Sequence, residues 1–141
     1  MDSKALSNNA SRAAERYIES QGGSIFHSRL SIAQQDLNGD GRQDAVVYIK
    51  DDPNVCTFEG CTLLILENQG NSLKQIGAIR NVHARLGMRQ GESEWPTLIV
   101  ASRDNSGSST AGSDGVAVTA YALPFSNGAY PSDATLGTPV E

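Results

Sequence analysis

Six short runs rich in Val, Ile, Leu and Tyr crowd the chain between Ser28 and Leu123, at about 28–34, 45–50, 62–68, 73–82, 97–102 and 116–123. Parallel neighbours need long, usually helical crossovers, and the spacing leaves too little room for them. The sheet should therefore be mostly antiparallel. QGNS at 69–72 is short enough to close a hairpin, and SNG at 126–128 carries the Asn-Gly pair that tight turns favour. Ahead of the strands, Leu6, Ala10, Ala13, Ala14, Tyr17 and Ile18 recur at helical spacing over about 3–21, and Gly22 and Gly23 supply a stop. The expected fold is α+β: an N-terminal helix covering one face of a sheet at about 28–131, with a tail at 132–141. A chain of 141 residues, 38% of them apolar, suits one domain, 1–141.

The net charge of −5 and the scatter of the eleven Lys and Arg residues argue against nucleic acid or an anionic membrane as partner, since either calls for a clustered basic face. No stretch reaches the roughly 20 apolar residues that span a bilayer. The start, MDSKALSNN, lacks the apolar core of a leader peptide.

DLNGDGRQD, at 36–44, places Asp36, Asn38, Asp40 and Asp44 around Gly39 and Gly41, and the carbonyl of Arg42 adds a fifth oxygen. Such a loop can wrap Ca2+. The twelfth position from Asp36 is Val47 rather than the bidentate Glu of a helix-loop-helix calcium hand, so the loop leads into a strand. The alternative is a Gly- and Asn-rich turn with solvated carboxylates. Calcium is the expected reading, because carboxylates this close repel one another unless a cation or water offsets them.

Cys56 and Cys61 are the only cysteines. Neither His27 nor His83 has zinc-ligand spacing to them, and reduced packed thiols are the other alternative. A Cys56–Cys61 disulfide is the expected state, and with it an oxidising compartment. That points to a periplasmic protein whose leader would be absent here.

A catalytic constellation is not legible, and the catalytic assignment is none. No Gly-x-Ser-x-Gly elbow surrounds a serine. His27 and His83 read as surface or strand residues, and Glu92 and Glu94 in GESEW read as solvated neighbours rather than a glycosidase pair. The expectation is that the chain is not an enzyme.

The order of a helix, DLNGDGRQDAVVYI, CTFEGC, TLLILEN, WPTLIV and a closing FSNGAYP resembles a group of small bacterial periplasmic proteins and lipoproteins, over about 10–131. The markers are the 36–44 loop, Cys56, Gly60, Cys61, Trp95, Gly128, Tyr130 and Pro131. Some members of that group are similar to immunity proteins that neutralise type VI secreted peptidoglycan amidases. The resemblance implies an inhibitor that acts by protein-protein contact on a cell-wall hydrolase. Other readings are a lysozyme inhibitor, an envelope- or carbohydrate-binding lipoprotein domain, and a small hydrolase, and a homodimer stays open. The Ser- and Gly-rich piece at 102–115 is longer than the resemblance implies. It should form an exposed loop, either a passive connection or a finger for a partner's cleft, with Asp104, Asn105, Ser106, Ser108, Ser109 and Asp114 as contact residues. Phe58 and Glu59, in the loop between the cysteines, are the second expected contact surface.

Overall fold

The structure is a computed structural model that describes residues 1–91, 93–103 and 117–140. Helix α1, Ser3–Ser20, begins where the Asp2 carboxylate accepts the Ala5 amide. It ends at Gln21, followed by Gly22 at φ 86°. Two antiparallel meanders follow. Sheet I contains β1 (Arg29–Gln35), β2 (Asp44–Lys50), β3 (Cys61–Asn68) and β4 (Leu73–Val82), and sheet II contains β5 (Ala84–Arg89), β6 (Thr97–Arg103), β7 (Val118–Leu123) and β8 (Thr138–Val140). In each sheet the strands lie in chain order. The expected α+β class and antiparallel pairing hold, but the strands form two sheets rather than one.

Sheet I is the middle layer of three. Ala45, Val47 and Ile49 of β2 and Leu64 and Leu66 of β3 pack beneath Leu6, Ala10, Ala14 and Ile18 of the helix. The alternate residues Val46, Leu63 and Ile65 face a second core with Leu98, Val100 and Leu123 of sheet II. Successive strand side chains point to opposite faces, so a strand covered on both sides reads as a continuous apolar run. This is why AVVYI and TLLIL show no polar alternation.

The two sheets are joined at a corner. Asn81 has φ 63°, His83 is the single residue between β4 and β5, and the His83 amide donates to the Ala101 carbonyl at 2.7 Å. The Asn81 side chain spans the corner, accepting from the Thr57 hydroxyl at 2.6 Å and donating to Asp133 at 2.8 Å. The hairpin at 69–72 closes through the Gln69 amide and Ser72 carbonyl at 2.9 Å. In the SNG turn, Asn127 and Gly128 both take positive φ, 54° and 83°.

Candidate functional site

The Phe58–Glu59 segment is built as a rigid projection. Cys56 and Cys61 are joined by a disulfide, and inside it the Thr57 amide donates to the Gly60 carbonyl at 2.8 Å. The Glu59 amide donates to the Thr57 hydroxyl at 3.1 Å, leaving Phe58 and Glu59 at the tip of a closed turn. Gly60 is required there, because its φ is 152° and a Cβ would lie 2.3 Å from the Val82 carbonyl carbon. The turn can seat against the sheet corner only with a bare backbone at that position.

Phe58 does not pack into either core: it is 61% exposed. The Arg103 guanidinium covers one side of its ring at 5.0 Å, and the Arg103 amide donates to the Glu59 carbonyl at 2.8 Å. Arg103 is the last residue of β6, so the knuckle sits where the chain enters the Ser- and Gly-rich segment. Asp104, Asn105, Ser106, Ser108, Ser109 and Asp114, the expected contact residues of that segment, lie outside the described residues. The exposed end of sheet I carries a second aromatic. Phe26, in the single 3-10 turn Ile25–His27 before β1, is 92% exposed. Arg29 pairs in register with Lys50, and Ile49 with Thr62, so Phe26 and the knuckle belong to the same end of the sheet.

This end is fastened internally by Asp52, which is 1% exposed. Its carboxylate accepts from the amides of Asn54 at 2.8 Å and Ser24 at 3.0 Å and from the Ser28 hydroxyl at 3.2 Å. The Asn54 amide, and then the Ser24 amide and Ser28 hydroxyl, hold the Asp52 carboxyl below its ordinary range against the opposing effect of burial. A Cβ on Gly23 would approach the carboxylate to 2.4 Å, so that glycine lets the helix exit close over it.

The 36–44 loop lies at the other end of sheet I. Gly39 and Gly41 take positive φ, 74° and 88°, and their amides donate to the two oxygens of Asp36, each at 2.9 Å. Asn38 accepts the Asp40 amide at 3.4 Å, while Asp40 accepts the Arg42 amide at 2.9 Å and faces the Arg42 guanidinium at 3.5 Å. The Arg42 amide, with help from its charge, holds the Asp40 carboxyl low. Asp44 is fully buried, and its two oxygens accept from Leu37 at 3.0 Å and Asn68 at 2.9 Å. Burial pushes the Asp44 carboxyl up, and the charges of Asp40 and Asp36 push in the same direction. With the side chains so arranged, no three of His, Cys, Asp and Glu gather to hold a metal ion among the described residues. The donor set is nonetheless all oxygen, and a carboxylate oxygen that accepts one amide keeps a second lone pair.

A cleft of about 670 Å³ opens between the ends of β5, β6 and β7, beside Arg89, Ser93, Trp95, Thr97 and Phe125. Trp95 is only 4% exposed and its ring packs on Phe125, centroids 5.7 Å apart, so the indole face is used in the core rather than offered to a ligand. Of the two acidic residues in GESEW, Glu94 is exposed and Glu92 lies outside the described residues. His27 is exposed and His83 half-buried at the sheet corner.

The sequence pointed to Phe58 and Glu59 but not to Arg103 and Asn81, which hold their turn, nor to Phe26 at the same end of the sheet. An apolar Phe26 in the Gly-bounded linker GGSIFHS was the available signal for one. Among the described residues no helix is long and apolar enough to cross a membrane, and the disulfide is compatible with an oxidising compartment. No family model matches the chain, and neither the curated proteins nor the solved structures contain a significant match to it.

Proposed function

We propose that this chain is a periplasmic inhibitor acting by protein-protein contact, with the disulfide knuckle as its docking element. The observation that carries this reading is Phe58, held 61% exposed on a cross-linked turn and flanked by Arg103. An aromatic carried on a turn closed by a disulfide, a glycine approach and a backbone hydrogen bond binds with less backbone ordering cost than one on an open loop. Arg and aromatic residues are also those that most often dominate interface energies. The resemblance names the partner class: a secreted peptidoglycan amidase, which the knuckle and the segment after Arg103 would occlude. A standard interface buries about 1,600 Å² in total, more than one turn supplies, so Phe26 and the strand ends around it would contribute.

Calcium belongs to this proposal as a structural ion at the far end of sheet I. Asp36, Asn38, Asp40 and the Arg42 carbonyl would hold it, with Asp44 behind them, and it would brace the entry to β2 without doing chemistry. The experiment is calorimetric titration of a purified secreted amidase with the protein and with Phe58→Asp. Stoichiometric binding that Phe58→Asp weakens at least about tenfold supports the reading. No binding, or equal binding by both proteins, overturns it.

A further inference from the structure

Between β1 and β5 the two sheets part, leaving a groove of about 190 Å³ whose walls include Ala33, Val46, Tyr48, Leu63, Val82 and Arg85. Small side chains create it. Along the groove β1 contributes Ser31 and Ala33, and β5 begins with Ala84, where bulkier residues would have closed the sandwich. An apolar cavity of about 150 Å³ accepts a benzene-sized group, so this one has room for a single large aliphatic or aromatic side chain.

The charge around the groove selects its occupant. The flanking strands RLSIAQQ and ARLGMR contain no acidic residue; Arg85 lines the groove and Arg29 lies two residues before Ser31, on a chain whose net charge is −5. Arg29 is engaged with Asp51 at 3.2 Å, but Arg85 forms no ion pair among the described residues. Lys50 likewise forms none, and its ammonium stands 6.0 Å from the centre of the Tyr48 ring that walls the groove. Each flanking strand is also the outer strand of its sheet. Outer strands leave backbone donors and acceptors for an added extended segment.

We infer that this groove, whose Val82 wall also backs the knuckle, is a second protein-binding surface that takes an extended acidic segment with one large apolar side chain. In a strand, residues two apart share a face, so a Glu-x-Leu-x-Glu segment presents Leu to the cavity and both carboxylates to the cations beside it. The probe is the acetylated and amidated peptide Glu-Thr-Leu-Thr-Glu, followed by methyl NMR of Ala33, Val46, Leu63 and Ala84 in the full chain. Saturable shifts at these methyls are expected, with affinity at least about tenfold weaker for Arg85→Glu, a substitution at an exposed position. Ala33→Leu, which fills the cavity, should abolish the shifts while the protein still melts cooperatively. Equal affinity for the Lys-Thr-Leu-Thr-Lys peptide, unchanged affinity in Arg85→Glu, or no shift at any of the four methyls overturns the inference.

Discussion

Arg103 holds the knuckle at two neighbouring residues: its guanidinium lies 5.0 Å from the centre of the Phe58 ring, and its amide donates to the carbonyl of Glu59 at 2.8 Å. The contact ties the end of β6 in sheet II to a turn that belongs to sheet I. It orients Phe58 without burying it. Phe58→Ala should therefore change stability by no more than about 0.5 kcal/mol, as for other surface positions. The check is a urea unfolding curve, and a loss of several kcal/mol would show that the ring supports the core instead.

The knuckle's cross-link should contribute modestly. The Cys56–Cys61 loop is short, and on the chain-entropy model its closure is worth roughly 2 kcal/mol or less. Cys56→Ser with Cys61→Ser should fold, melt slightly lower and lose hydrogen-exchange protection at the Thr57 and Gly60 amides. Full protection in the double variant would show that the remaining hydrogen bonds suffice to hold the turn.

Much of this architecture was legible in the residues, and the reasons differ by element. β2 and β3 announce themselves because burial on both faces demands apolar residues at every position. The turns at 69–72 and 126–128 carry the Gly and Asn-Gly that their positive φ angles require. β5 was missed because ARLGMR is mostly exposed and interrupted by Gly87, so it is a strand by its pairing with β6 rather than by its composition. β8 came from the segment read as a tail: it is a three-residue outer strand containing Pro139, whose pairing depends on β7 being in place. The division into two sheets was also hidden. It turns on Asn81, whose αL backbone and two side-chain bonds redirect the chain, and no local pattern marks a single Asn for that task. For the candidate site, the sequence pointed to Phe58 and Glu59 but not to Arg103, because their contact joins residues far apart in the chain.

Two glycines should respond differently to alanine. Gly60→Ala places a methyl against the Val82 backbone as well as forcing a β-carbon into φ 152°, and should cost about 3 kcal/mol or more. Gly128→Ala meets nothing within 4 Å and suffers only its φ of 83°, so about 1 kcal/mol is expected. Similar losses in thermal melts of the two variants would contradict the close seating of the knuckle on the sheet corner.

Asp52 gives the fold an acid-sensitive fastening. Its folded carboxyl titrates below the ordinary value of 3.8, so its stabilisation is present above that pH and is lost as the pH falls through the lowered folded value. Asp52→Asn should be less stable than the parent at pH 7, and the gap should shrink as both are unfolded in urea at successively lower pH. A gap that is constant from pH 7 to pH 2 would remove the charge from the account.

Asp40→Ala tests the 36–44 loop. If the loop holds calcium, millimolar CaCl2 should raise the parent's melting temperature and leave the variant's unchanged, with modest affinity because no bidentate Glu follows at position twelve. The same melting temperature with and without calcium in the parent would leave the loop as a turn held by its own amides.

The most direct test of the inhibitor reading is a steady-state assay of a type VI secreted peptidoglycan amidase on purified wall, titrated with the oxidised protein. The account predicts that activity falls linearly to zero at a fixed molar ratio, and that Phe58→Asp, with the parent's urea unfolding curve, shifts that titration to at least about tenfold higher concentration. Full amidase activity at a large excess of the oxidised protein would contradict it, as would equal inhibition by Phe58→Asp.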